Sequence, residues 1–536
     1  MRFFTGSLAL IMSCVALPHG MILGKDLPTV DTPVGRLALP VVPNSLVVSP
    51  DSSRLVFASK AGEVTLEDKG VFINPKETDP RDDSARAVLN SIRFFIDDKP
   101  TISFDTMTTP IFSPDSRRLG YAGQREKKWQ VVVDNRTLAQ DVEDVPSTPI
   151  VFSPDSRHVA WVIARDGKYW VTVDETHWPG LEVGNLGAMA FSPDGSHLAA
   201  VGRAKGAWMI FVDGKLLAVP PGPVPTGVRG GGAATVAAHL DRFGQYVWKP
   251  DSSGVVFDAA FTNGPWQVFS EGVDGSFGFV SKPLEGLVKR GAAISPDGKH
   301  VAFGVLARNT WTVVTDGAAP ATASAITQPA GADRFDQIIA ESLCFYQPGL
   351  EKDAPATLLY LAQKSKKWQL YVNGHAVGES LDAILNGSFL LSPDRHHYTY
   401  AGIQGGRTVV VKDGVVVGRH DEGAAMTFAF SPDSQHVGYC AKDGANWYAC
   451  VDGVGGMPFL AVTAAQVAFS PDSKRLAFAA MTPDRAWRVI IGKDRDMESK
   501  PYDGFLKDSH VTWRNDGTVV TIAILKKVAT RVEGKP

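Results

Sequence analysis

A short string, Ser-Pro-Asp, returns along the chain and constrains the fold more than any other feature. It begins at Ser49, Ser113, Ser153, Ser192, Ser295, Ser392, Ser431 and Ser470. Lys249-Pro250-Asp251 is a variant, and Gln347-Pro348-Gly349 and Arg514-Asn515-Asp516 are decayed copies, which makes 11 units. The tightest spacing is 39 or 40 residues, as between Asp115, Asp155 and Asp194. A period of that size marks stacked supersecondary units, each needing its neighbours to bury its apolar faces. The length of 536 residues agrees, because single cores stop growing near ~250–300 residues.

Every unit has the same internal plan. Around Ser470, residues 468–470 form a short apolar strand, A, and Pro471-Asp472-Ser473 a turn. Residues 475–479 form strand B, residues 487–491 strand C, and a weaker segment D near 500–504 leads to the next unit. Proline presets the second turn position, and Asp and Ser satisfy turn backbone groups with their own side chains. The motif is therefore read as hairpin punctuation, not as a catalytic signature. Trp129, Trp208, Trp266, Trp311, Trp368, Trp447 and Trp487 open strand C in their units, with Tyr169 in that place once. A ring at one fixed place per unit is expected to pack between adjacent sheets; a stacking platform for a ligand is the other reading.

Four strands in about 40 residues, repeated, is the plan of a β-propeller blade. The pattern Phe-Ser-Pro-Asp-Ser-x-x-Leu-Ala-Phe, followed by Trp-x-Val-x-Val-Asp-Gly, resembles the WD-repeat-like blades of the TolB type. Residues 152–159, 430–437 and 469–476 carry it best. The resemblance covers nearly everything from about residue 45 onward and implies an all-β propeller. It implies no activity, since the small N-terminal α/β domain of a true TolB has no counterpart ahead of the repeats.

The last unit offers strands A, B and C and then the chain ends, while residues 34–42 precede the first unit without one of their own. Pairing the two ends in one blade would remove exposed edges. Eleven units exceed the usual 4–8 blades of one ring, so two propellers are expected and one large ring is the runner-up. The expected division is residues 34–316 (units 1–6), a connecting segment 317–342, and residues 343–536 (units 7–11, closed by the N-terminal strand). A split at the Pro- and Gly-rich stretch 219–240, giving four and seven units, is the other partition. In unit 1, residues 92–97 match strand C, which makes 62–91 an insertion.

Residues 1–24 read as a signal peptide: Met1-Arg2, an apolar run over 3–17, then Pro18-His19-Gly20. The run is too short to span a bilayer, and no later stretch is long and apolar enough. A periplasmic or secreted location and a bacterial source follow as expectations. Cys14 stands in a weak lipoprotein-like box, so a lipid anchor there is a secondary reading. Cys440 and Cys450 flank a hairpin, where a disulfide and two separate buried thiols are both open readings.

Net charge is −3, from 54 basic and 57 acidic residues. Without a basic excess or stripe, nucleic acid is not an expected partner. The chain has no Gly-x-Ser-x-Gly, His-Glu-x-x-His, Gly-x-x-x-x-Gly-Lys or Cys-x-x-Cys motif. No catalytic residue, cofactor or metal is assigned. One pattern stands out. The residue three places after the turn Asp is His158, His197, His300, His397 or His436 in five units, and Arg54, Arg118 or Arg475 in three more. Equivalent positions share one face, so these groups form a candidate basic ring. Either each pairs locally, or together they bind anions and respond to pH. The functional expectation is an exported, non-catalytic scaffold that binds a protein or cell-envelope polymer. The alternative is a hydrolase or lyase acting on glycans or peptides at the channel mouth.

Overall fold

The computed structural model describes residues 25–36, 47–60, 92–217, 240–315 and 333–536, less a few short interior stretches. The insertion at 62–91, the leader and most of the segment 317–342 lie outside the described residues. Every described regular element is a strand, and no described helix is long and apolar enough to cross a membrane.

Each unit is a small antiparallel sheet in the order A-B-C-D. In the ninth unit, Ala429–Phe430, Val437–Asp443, Asn446–Val451 and Val454–Phe459 pair in that order. The first five residues of its strand B are all buried. A strand covered on both faces carries a continuous apolar run instead of an alternating one. Strand D is the outermost, and its exposed residues alternate with half-buried ones. The expected strand C of unit 1 is present as Ile92–Ile96, antiparallel to Leu55–Lys60. Units 4 and 5 join into one eight-stranded sheet through the single pair Trp208↔Leu240. These sheets, packed face to face in sequence order, make an all-β propeller.

The chain's two ends do meet. Strand Thr29–Arg36 pairs antiparallel with Val528–Gly534, the third strand of the last unit. The donated strand starts upstream of the expected 34–42, and residues 37–46 lie outside the described set. Pro40 and Pro43 lack the N–H a ladder needs, whereas Thr29–Arg36 has a single proline, Pro33, at its register shift. A bulge on an edge strand is where proline is tolerated. Val34 is buried against Leu55, Phe57 and Phe95 of the first unit and Ile522 of the last. Just ahead of it, Lys25–Asp26 adds a parallel strand to Met497–Glu498 in the tenth unit.

Packing continues past both long connections. Units 4 and 5, on either side of 219–240, share a cluster of Val201, Ile210, Val255 and Phe269. Units 6 and 7, on either side of 317–342, share another built on Ala302, Phe335, Leu358 and Tyr360. Among the described residues every successive pair of units shares such a core, and the last unit shares one with the first.

The Ser-Pro-Asp turns add a polar staple to this packing. Ser434 donates its N–H to Ser431 O at 2.8 Å, closing the turn. The Ser431 hydroxyl donates to Asp433 Oδ1 and accepts the His436 N–H at 2.9 Å. Ser434 itself has φ 67°, and its Oγ accepts the Asp394 N–H of the preceding unit at 3.1 Å. The same link joins Asp51 to Ser116, Asp115 to Ser156, Asp194 to Ser252, and Asp433 to Ser473. Where glycine takes that turn position, as at Gly195 and Gly298, the backbone strain is relieved and the hydroxyl is given up.

Two predictions follow from these contacts. Ser434→Ala keeps the left-handed strain but orphans the Asp394 N–H, and should cost about 1 kcal/mol in urea unfolding. Ser434→Gly loses the same bond but relieves the strain, and should fall within about 0.5 kcal/mol of the parent. Asp258 is 4% exposed and its Oδ2 has no partner. Burial pushes its carboxyl up to about 6 against the Gln245 N–H bond. A carboxyl raised in the fold costs nothing below its unfolded pKa of about 3.9 and the full penalty above its folded one. Asp258→Asn should therefore gain about 2–3 kcal/mol relative to the parent as pH rises from 4 to 7, measured by unfolding midpoints at each pH.

Candidate functional site

The five histidines of the candidate ring do stand at equivalent places, and four of them make one local contact. His158 Nδ1 lies 2.7 Å from Asp174, His197 2.6 Å from Asp213, His397 2.7 Å from Asp413 and His436 2.6 Å from Asp452. Arg54 and Arg118 reach Asp97 and Asp134 at 2.9 Å. Each of these aspartates opens the C–D turn of its own unit. With its second oxygen it accepts the N–H of the first strand-B residue, as Asp452 does from Val437 at 3.0 Å. Burial raises the Asp452 carboxyl, but hydrogen bonds from His436, Val437 N–H and Lys412 outweigh it and hold it below its ordinary value.

The other face of several of these basic groups meets the next unit. Arg54 sits 5.3 Å from the Phe112 ring centre and Arg118 5.2 Å from Phe152. His158 faces Phe191, His197 Trp248 and His300 Phe345, at 6.5, 6.3 and 6.4 Å. Those rings end strand A, directly ahead of the next turn. The basic groups are thus brought to a carboxylate of their own unit and a ring of the next, not to one another. Sequence reading found the basic position, with local pairing as one reading, without naming either the aspartate or the ring. Both signals were present: an aspartate 16 residues downstream and an aromatic residue just before the next Ser-Pro-Asp.

One unit breaks the pattern at its opposite end. In most units strand C opens with Trp, which pairs with an apolar residue closing strand D, as Trp368 pairs with Leu381. In unit 8 the equivalent pair is Thr408 and His420. His420 is buried, 2.8 Å from Asp443 through Nδ1 and 3.1 Å from the Tyr439 hydroxyl through Nε2. This chain satisfies a buried imidazole inside an otherwise apolar layer.

The tryptophans lie half-buried, each on the core its unit shares with the next. Trp129 packs there between units 2 and 3, Trp208 between 4 and 5, and Trp447 between 9 and 10. Between Trp311 of unit 6 and Trp368 of unit 7 a groove of about 500 Å³ stays open. Its floor is the first half of strand A of unit 7, Gln337–Tyr346, with Ile338 and Ile339, and Ile384 of unit 8 closes the far side. Gln337, Glu341 and Asn386, all exposed, supply the polar rim. Strand A bulges beside the groove: its register with strand B shifts between Ile339 and Cys344. Ser342 turns inward, giving its hydroxyl to Ile339 O and accepting the Leu361 N–H.

A second groove, of about 350 Å³, lies on the turn face between units 3 and 4 and includes His158, Asp174, His177 and Asp213. Its histidines are already engaged, His158 with Asp174 and His177 with Thr172 at 2.8 Å. Among the described residues no group of three or more His, Cys, Asp or Glu is placed to hold a metal ion.

Cys440 and Cys450 are free thiols. They sit on neighbouring strands but face opposite ways. Cys440 packs into the core shared with unit 10, and Cys450 into the one shared with unit 8. A sheet with two covered faces separates side chains of opposite parity, so the hairpin that suggested a disulfide does not form one. Burial pushes the Cys450 thiol up to about 12 and raises that of Cys440 as well. Both should stay unreactive toward a thiol reagent in the native chain and react fully after unfolding; a mass loss of two hydrogens on isolation would contradict this.

No protein-family model matches this chain, and no curated protein matches it. Solved structures are similar to it. A eukaryotic initiation factor is 16% identical over 73% of this chain and 94% of its own, with a TM-score of 0.40. The β-propeller domain of the trilobed protease from Pyrococcus furiosus is 12% identical over 58% and 96%, with a TM-score of 0.27. A putative TolB from Agrobacterium tumefaciens is 16% identical over 40% and 79%, with a TM-score of 0.23. Likenesses this distant say nothing of activity, and the fold rests on the strand register above.

Proposed function

We propose that this chain is a non-catalytic binding module of the TolB-like propeller kind, exported by a bacterium, that holds a protein or polymer of the cell envelope. The observation that carries the reading is the groove of about 500 Å³ between Trp311 and Trp368. Here two tryptophans of the row line open space with amide and carboxylate groups at its rim. Ligand sites are concave, mostly apolar and marked by a few placed polar groups, and this groove has that make-up. The volume lies inside the range of ~300–1,000 Å³ common for such sites.

The same reading treats the units as one ring instead of six and five. It is supported by the unbroken series of shared cores, which continues between units 6 and 7 and returns from the last unit to the first. Export is supported by the leader-like residues 1–24. The strand that closes the ring, Thr29–Arg36, lies downstream of that stretch.

The test is capture from envelope extract by immobilised residues 25–536. One component should be enriched by the parent and lost with Trp311→Phe/Trp368→Phe, which narrows both indoles while keeping the core apolar. Equal capture by parent and variant, or none by a folded parent, would contradict the reading.

A further inference from the structure

We infer that the groove between Trp311 and Trp368 takes a neutral oligosaccharide, binding an internal stretch of pyranose rings against the two indoles. The inference rests on the binding-module reading above and names the ligand class for that site.

Three observations narrow the class. First, among the described residues the lining carries no cation. The nearest lysines on the adjoining B–C loop are engaged elsewhere: Lys364 with Asp333 at 2.7 Å and Lys367 with Asp382. Phosphates, nucleotides and sulfated chains need cationic or bidentate donors, and the described lining of this groove offers none.

Second, a wholly apolar ligand would cover Gln337 and Asn386 and give them nothing in return. Covering a polar group without a partner costs about 1–3 kcal/mol each. The favoured ligand therefore has apolar faces and a polar rim. A pyranose has both: C–H groups on its faces and hydroxyls around its edge. A hydroxyl donates one hydrogen and accepts others, and an amide side chain does both as well. Indole rings supply flat apolar area at low entropic cost.

Third, the backbone here is a poor template for an extended peptide. A peptide adding to a sheet edge needs a regular run of N–H and C=O groups. The strand flooring the groove is irregular, with its register shifted between Ile339 and Cys344 and Ser342 turned inward. Bulges of this kind are how edges avoid strand addition. A side-chain platform for sugar rings does not depend on that ladder.

The experiment uses residues 25–536 and three neutral hexasaccharides: cellohexaose, maltohexaose and the N-acetylglucosamine hexamer. Calorimetry measures binding, tryptophan fluorescence reports on the indoles, and product analysis follows chain length. At least one hexamer should bind saturably and shift tryptophan emission. Trp368→Phe should weaken that binding about fivefold or more, and Asn386→Ala and Gln337→Ala should each weaken it about threefold or more. Asn386 and Gln337 are exposed, so those variants keep the fold, checked by an unchanged unfolding midpoint. Lys364→Ala should leave binding unchanged.

Binding of none of the three hexamers, or binding indifferent to all three groove variants, overturns the inference. Binding of a decaproline peptide at the groove with no sugar bound also overturns it, while leaving the binding-module reading standing. A hexamer that binds and is then shortened supports the ligand class and defeats the non-catalytic reading.

Discussion

A sheet with two apolar faces is stable only when both are covered. That requirement governs the rest of this molecule. Strand B of each unit is buried along most of its length, as Val437–Asp443 and Tyr398–Gln404 show. No unit can supply that cover itself, so each takes it from the units before and after. An open row would leave an apolar face bare at either end. The first and last units solve this together, through Val34, Leu55, Phe57, Phe95 and Ile522. The strand donated from the chain's beginning is the covalent form of the same solution. It covers the outer edge of the last unit and places Val34 in the joint between the two ends.

The turn chemistry is subordinate to that packing and repeats with it. At five of these turns the capping serine bonds backward to the preceding turn, and several of the basic residues after it lie against the ring near the end of the next strand A. Polar groups at the rim therefore hold the same interfaces that apolar groups fill. Turn aspartates such as Asp433, held low by the Ser431 hydroxyl and the Gln435 N–H, add stability above their unfolded pKa of about 3.9 and lose it in acid.

Much of this was legible in the residues because the repeat is written in punctuation. Ser-Pro-Asp marks each A–B turn, and the spacing marks each blade, so the fold class and even strand C of the interrupted first unit could be read. The donated strand was legible in kind, but its pairing begins at Thr29, upstream of the apolar stretch 34–42 that suggested it. The histidines were legible as a ring, and local pairing was one of the two readings left open, but the aspartates that four of them meet were not named. Their aspartate partners lie across a whole hairpin, and only the fold shows that the two positions touch. The two cysteines show the same limit: sequence gives their separation along a hairpin, and strand parity decides which way they face. The groove was not legible at all. It depends on how residues of units 6, 7 and 8 come together, and nothing in the tryptophan pattern distinguishes Trp311 and Trp368 from the others of their row.

The account depends on one claim before any other, that the units close a single circuit and that every interface, open or filled, belongs to it. The most direct measurement is electron microscopy of the isolated chain, read from end-on views. One ring, with a single central opening surrounded by all the blades, is the result this account predicts. Two smaller rings joined by a link would contradict it, and with it the placement of the groove between neighbouring blades of units 6 and 7.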